Sequence, residues 1–85
     1  MQVPPEQQAI VEPYNNWVRQ RVKEVRLASG LSQKLIGSKM QVGHTRIHDL
    51  ETGGNQKNIQ FGTIVRFCYA SGTSVKDFFS TCPEF

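Results

Sequence analysis

Between His44 and Asp49 the chain places five hydrogen-bonding side chains almost in succession: His44, Thr45, Arg46, His48 and Asp49, interrupted only by Ile47. In a helix the residues at 44, 45, 48 and 49 share one side. Their chemistry suits reading a polar surface. Imidazoles donate to guanine N7 or O6, a threonine methyl meets a thymine methyl, and a carboxylate accepts from cytosine N4. A guanidinium suits a phosphate. Bond-making chemistry has less support. There is no glycine-rich phosphate loop, no nucleophile and base with an orienting third group, and no carboxylate pair in a candidate cleft. No catalytic residue is assigned, and the chain is expected not to be an enzyme. His44 and His48 have the i, i+4 spacing of zinc ligands but no evident third ligand, so neither a metal nor another cofactor is expected.

Positioning these residues requires the stretch from Leu31 to Gly53, LSQKLIGSKMQVGHTRIHDLETG, which reads as two short helices and a tight turn. Leu35, Ile36, Gly37 and Met40 fall on the inner side of the first, and Val42, Ile47 and Leu50 continue it. Ser32 stands where an N-cap is wanted, and Gly37 bears no side chain where a second helix must cross closely. This is the pattern of a helix-turn-helix. Upstream, the periodicity predicts a helix from about Asn15 to Ser29, capped by Asn15 or Asn16, with Trp17, Val18, Val22 and Val25 inward and Gly30 as its stop. Pro5-Glu6 suits a short helix start, but Pro13 is expected to keep it separate from the longer helix. Downstream, Phe61 to Ser71 reads as a fourth helix with apolar Phe61, Ile64, Val65, Phe67 and Cys68. Ser74 caps a short fifth helix carrying Val75, Phe78 and Phe79. Cys68 reads as a core residue and Cys82 as a free thiol.

Those residues carry a family resemblance. LSQKLIGSKMQVGHTRIHDLETG resembles the helix-turn-helix of phage repressor and Cro-type transcription regulators. RVKEVRLASGLSQ (Arg21 to Gln33) resembles that family's first helix, and FGTIVRFCYASGTSVKDFF (Phe61 to Phe79) its fourth and fifth. The similarity covers about residues 17–79 without a gap. It implies an all-α fold, a compact five-helix lambda-repressor-like domain over 17–79, with an N-terminal extension at 1–16 and a tail at 80–85. It further implies a homodimer whose third helix enters the DNA major groove. Carried over residue by residue, His44, Thr45 and His48 would read base edges, with Asp49 as a fourth. Gln33 and Gly43 fall at the family's DNA-backbone contacts, and Lys34, Arg46, Asn55 and Lys57 suit further backbone contacts by their own chemistry. Arg26 and Glu51 would form a partly buried ion pair joining the first and third helices, and Phe78 or Phe79 would contact a second subunit or lie within its own core. Two positions depart from the pattern. Gln41 stands where glycine usually takes a left-handed backbone, and Gly43 where Ser or Thr usually caps the third helix.

The bulk properties fit these expectations. Eighty-five residues support one small domain, and 38% apolar with 20% charged residues is ordinary for a globular fold. No apolar run or leader-like segment is evident, so a cytoplasmic protein without a membrane partner is expected. The net charge is +3. Residues 17–57 carry eight Lys and Arg against Glu24, Asp49 and Glu51, a basic excess that suits either a phosphate-facing surface or a solvated face. Residues 1–16 have no Lys or Arg, so they suit packing or dimer contact better than a DNA arm. The readings that follow are a repressor acting as a homodimer on a double-stranded operator, or an antitoxin that holds a toxin partner and represses its own operon. A helix-turn-helix serving protein association alone is a third.

Overall fold

Asn58 gathers the first helix and the segment before the fourth into one polar knot. Its side-chain oxygen accepts from Asn15 Nδ2 at 2.9 Å and from Gln8 Nε2 at 3.3 Å, and its own amide returns a bond to Gln8 Oε1 at 3.4 Å. A computed structural model describes residues 4–53 and 58–85, and these are all-α. The elements are α1 (Pro5–Ala28), α2 (Gln33–Met40), α3 (His44–Thr52), α4 (Phe61–Ser71) and α5 (Val75–Phe78). Five helices match the expected architecture. Among the described residues no helix is long and apolar enough to cross a membrane.

The first helix differs from expectation. Pro5 starts it, with Glu6 in the first turn, but it then runs through Pro13 without a break to Ala28. A proline inside a helix forfeits one backbone bond and crowds the preceding turn, at about 3 kcal/mol. Attachments on both sides of Pro13 offset that cost: the knot at Asn58, reached from Gln8 and Asn15, and Tyr14 beyond it. The Tyr14 ring meets Phe85 edge-on at 4.9 Å, and its hydroxyl accepts from the Phe85 amide at 3.1 Å. Asn15 is therefore a buried mid-helix residue and not a cap.

Among the described residues ten apolar side chains form the core: Val22 and Val25 from α1, Ile36 and Met40 from α2, Ile47 and Leu50 from α3, Ile64, Phe67 and Cys68 from α4, and Phe78 from α5. Leu35, expected inside, is 54% exposed. The inner side of α2 is narrower than its apolar residues suggest: its buried residues are Ile36, Gly37 and Met40. Ser32 caps α2, its hydroxyl accepting from the Leu35 amide at 3.1 Å. The turn to α3 passes very close to α2: a Cβ on Gly37 would stand 2.9 Å from the Val42 carbonyl oxygen. Gln41 closes that turn in the left-handed region at φ 59°, a conformation that costs a side-chain-bearing residue about 1 kcal/mol. Gly43 precedes α3 and provides no side-chain cap.

Two substitutions check this crossing by urea denaturation. Gly37→Ala should cost about 1–3 kcal/mol, because the methyl meets backbone that cannot rotate away. Gln41→Gly should stabilise by about 0.5 kcal/mol, the relieved strain being partly offset by a more flexible unfolded chain.

Candidate nucleic-acid interface

Helix α3 buries Ile47 and Leu50 and turns His44, Thr45, Arg46 and His48 outward, all four exposed. Asp49 is only half-exposed, so the suggested base reader at this position stands at the edge of the exposed side. No side chain among the described residues makes a hydrogen bond or ion pair to those of His44, Thr45, Arg46 or His48. Further along, the Thr52 hydroxyl donates to the His48 carbonyl at 2.9 Å, closing the last turn onto its own backbone. Gly43 is exposed ahead of the helix and gives its first turn no side-chain cap.

Behind α3, helix α1 holds it at two points. Arg26 Nε donates to Glu51 Oε2 at 2.6 Å and its Nη2 to Oε1 at 3.1 Å, so the expected pair is bidentate, and both side chains are largely shielded. Arg26 Nη1 also donates to the Leu31 carbonyl at 3.0 Å, tying the α1–α2 link to the same group. The second point went unread in the sequence. Arg19, buried two helical turns before Arg26, donates to the carbonyls of Asp49 and Leu50 at 3.3 and 3.2 Å. Those carbonyls end the negative pole of α3, where a cation is favoured. The seven-residue spacing between the two arginines was the available signal, since it returns both to one side of α1.

Several expected backbone contacts stand differently from the sequence reading. Gln33 is half-buried, and its amide donates to Glu51 Oε1 at 3.3 Å, extending the ion pair into α2. Lys34 and Arg46 are exposed. Asn55 and Lys57 lie outside the described residues. The basic excess of residues 17–57 is in part internal. Arg19 and Arg26 hold α3, and Arg21 donates to the carbonyls of Phe78 and Asp77 at 2.9 and 3.2 Å, closing the end of α5. Arg66 likewise donates to the Met40 carbonyl at the end of α2. Among the described basic residues of that stretch, Lys23, Lys34, Lys39 and Arg46 remain exposed.

The two phenylalanines proposed for a dimer contact separate. Phe78 is 0% exposed, enclosed by Phe67, Trp17 and Phe79, so it has no surface for a second subunit. A short helix buries whichever residue points at the core, and for α5 that residue is Phe78. Phe79 is half-buried, stacked between Trp17 and Phe61. Among the described residues no group of three or more metal-ligating side chains forms. Comparison with family models, curated proteins and solved structures finds no match.

Burial pushes the Cys68 thiol above its ordinary pKa, with the Arg21 charge pulling weakly the other way. The thiol is stabilised in its neutral form, so its contribution to stability is complete below the ordinary thiol range and declines as pH rises through the raised value. In native protein at pH 8, a thiol reagent should modify Cys82 well before Cys68, followed by mass spectrometry. Removing the Glu51 carboxylate leaves Arg26 without its partner, so Glu51→Ala should cost about 3 kcal/mol in urea denaturation. The matching Arg26/Glu51 double substitution should recover part of that loss.

Proposed function

We propose that this chain is a sequence-specific double-stranded DNA-binding protein of the repressor and Cro type, reading the major groove with α3. One observation carries the reading: α3 shows His44, Thr45 and His48 outward without internal partners among the described residues, while Arg19, Arg26 and the core hold its rear. A helix whose polar face met its own protein would have nothing left to read with. The resemblance over residues 17–79 agrees with this role.

In this reading His44, Thr45 and His48 address base edges, with Asp49 at the margin. Imidazole N–H groups donate to guanine acceptors, and the Thr45 methyl contacts thymine. Arg46 and Lys34 face phosphates, and the uncapped amides after Gly43 offer a further anion contact. Gln33 acts mainly by steadying Glu51. Regulation then consists of occupying an operator, and the protein acts as a repressor through its concentration. One α3 spans only a few base pairs, so an operator of useful specificity needs two such helices about one turn of DNA apart.

Selection of bound duplexes from a random pool tests the reading directly: one sequence motif should be enriched. Affinity for the winning duplex should fall steeply and log-linearly with salt. Arg46→Ala should weaken every duplex alike, whereas Thr45→Ala or His48→Ala should change which sequence wins, at about 1–3 kcal/mol per lost base contact. No enrichment, with only salt-sensitive binding common to all duplexes, would sink sequence-specific recognition.

A further inference from the structure

Among the described residues the buried polar and charged side chains are Asn15, Arg19 and Arg26, and all three stand on α1. Offsets of four and seven residues return them to one side of that helix. Burying such groups costs stability unless they are well paired, and an apolar side chain of similar size often serves cohesion as well. Their common stripe therefore signals alignment. Helix α3 is what they align. Its last turn holds Glu51 and no basic residue, the reverse of what the negative pole of a helix favours. Both missing cations come from α1.

The two arginines grip different things. Arg26 takes the Glu51 carboxylate, which hangs on a flexible stem. Arg19 takes the backbone: its Nη1 donates to the carbonyls of Asp49 and Leu50 at 3.3 and 3.2 Å. Gly53, leaving α3 at φ 105°, passes over the same guanidinium, where a Cβ would stand 3.9 Å from Nε. A bond to backbone fixes the helix axis itself, with no stem of α3 to absorb an error.

We propose that Arg19 is a positioning residue for sequence discrimination: without touching DNA, it sets the tilt of α3 and so how well His44 and Thr45 meet base edges. This rests on the DNA-binding reading of α3. Arg19 grips the C-terminal end of the helix, and His44 opens it about 8 Å away along the axis. A tilt of about 10° about the gripped end moves His44 by about 1.4 Å. Hydrogen bonds to base edges tolerate about 0.5 Å in donor–acceptor distance. His48 adjoins the gripped carbonyls and moves far less. Arg19 itself is 7% exposed, so it neutralises no phosphate, and discrimination separates from plain attraction to DNA.

The measurement is the affinity of the full chain for the selected duplex divided by that for a scrambled duplex of equal length. Arg19→Lys keeps the charge, but its ammonium sits one bond nearer the backbone and forms no planar fork. It should lower the ratio about tenfold, while affinity for the scrambled duplex and its salt slope stay as in wild type. Arg19→Gln, which keeps a donor without the charge, should lower the ratio as well, and circular dichroism checks that each variant folds. Combined with Thr45→Ala, Arg19→Lys should lose less than the two losses multiplied, because the Thr45 contact is already weakened; with Lys34→Ala on α2 the losses should multiply fully. Ile64→Val, a core change on α4, should lower stability and leave the ratio unchanged. A ratio within about twofold of wild type in either folded Arg19 variant overturns the proposal. So does full independence from Thr45→Ala, or an equal loss of ratio in Ile64→Val. A wild-type chain that prefers no duplex ends the DNA-binding reading and this proposal with it; wild-type preference that survives Arg19→Lys ends this proposal alone.

Discussion

Two arginines on one side of α1 hold α3 in place, and the rest of the molecule is arranged around that attachment. Arg26 forms a bidentate pair with Glu51, and Arg19 takes the carbonyls of Asp49 and Leu50. Shielded ion pairs contribute little net stability, because desolvating both charges offsets most of their attraction. What they supply is direction. Ile47 and Leu50 can seat in an apolar core at a range of angles, since burial has no preferred orientation. Forked hydrogen bonds two turns apart along α1 tolerate far less, so the pitch of α3 becomes a property of α1.

The same economy alters what the positive charge means. Arg19, Arg21, Arg26 and Arg66 end on carboxylate or carbonyl groups of their own chain. Each meets the C-terminal end of a helix or the Glu51 carboxylate, where the backbone dipole or a formal charge favours a cation. A basic excess in such a chain is thus divided between scaffolding and surface. Among the described residues of 17–57, the charge left at the surface falls to Lys23, Lys34, Lys39 and Arg46. In the proposed DNA-binding role, more of the recognition then rests on His44, Thr45 and His48.

Helix α1 also shows how distant contacts overrule local chemistry. Pro13 signals a break, and the break does not occur, because Gln8 and Asn15 on either side of it both reach Asn58 and Tyr14 meets Phe85. Residues 5–16, which read as part of an extension, are thereby the first half of α1.

Much of this was legible in the sequence wherever the deciding interaction is local. The Ser32 and Ser74 caps, the close crossing at Gly37 and the outward His44, Thr45, Arg46 and His48 follow from capping, sterics and helical period, whereas the left-handed turn at Gln41 was legible through family resemblance. The Arg26–Glu51 pair was legible through family resemblance, not through spacing. The remainder required the tertiary fold. Leu35 is apolar yet outside, Phe78 is enclosed while Phe79 is shared with the surface, Arg19 is an internal brace, and α4 is apolar on two sides. Periodicity tells which residues share a face of a helix, but not how many neighbours that face will find. Coverage depends on where other helices pass, and carbonyl partners such as those of Asp49 and Leu50 belong to no residue type. Only packing in three dimensions decides them.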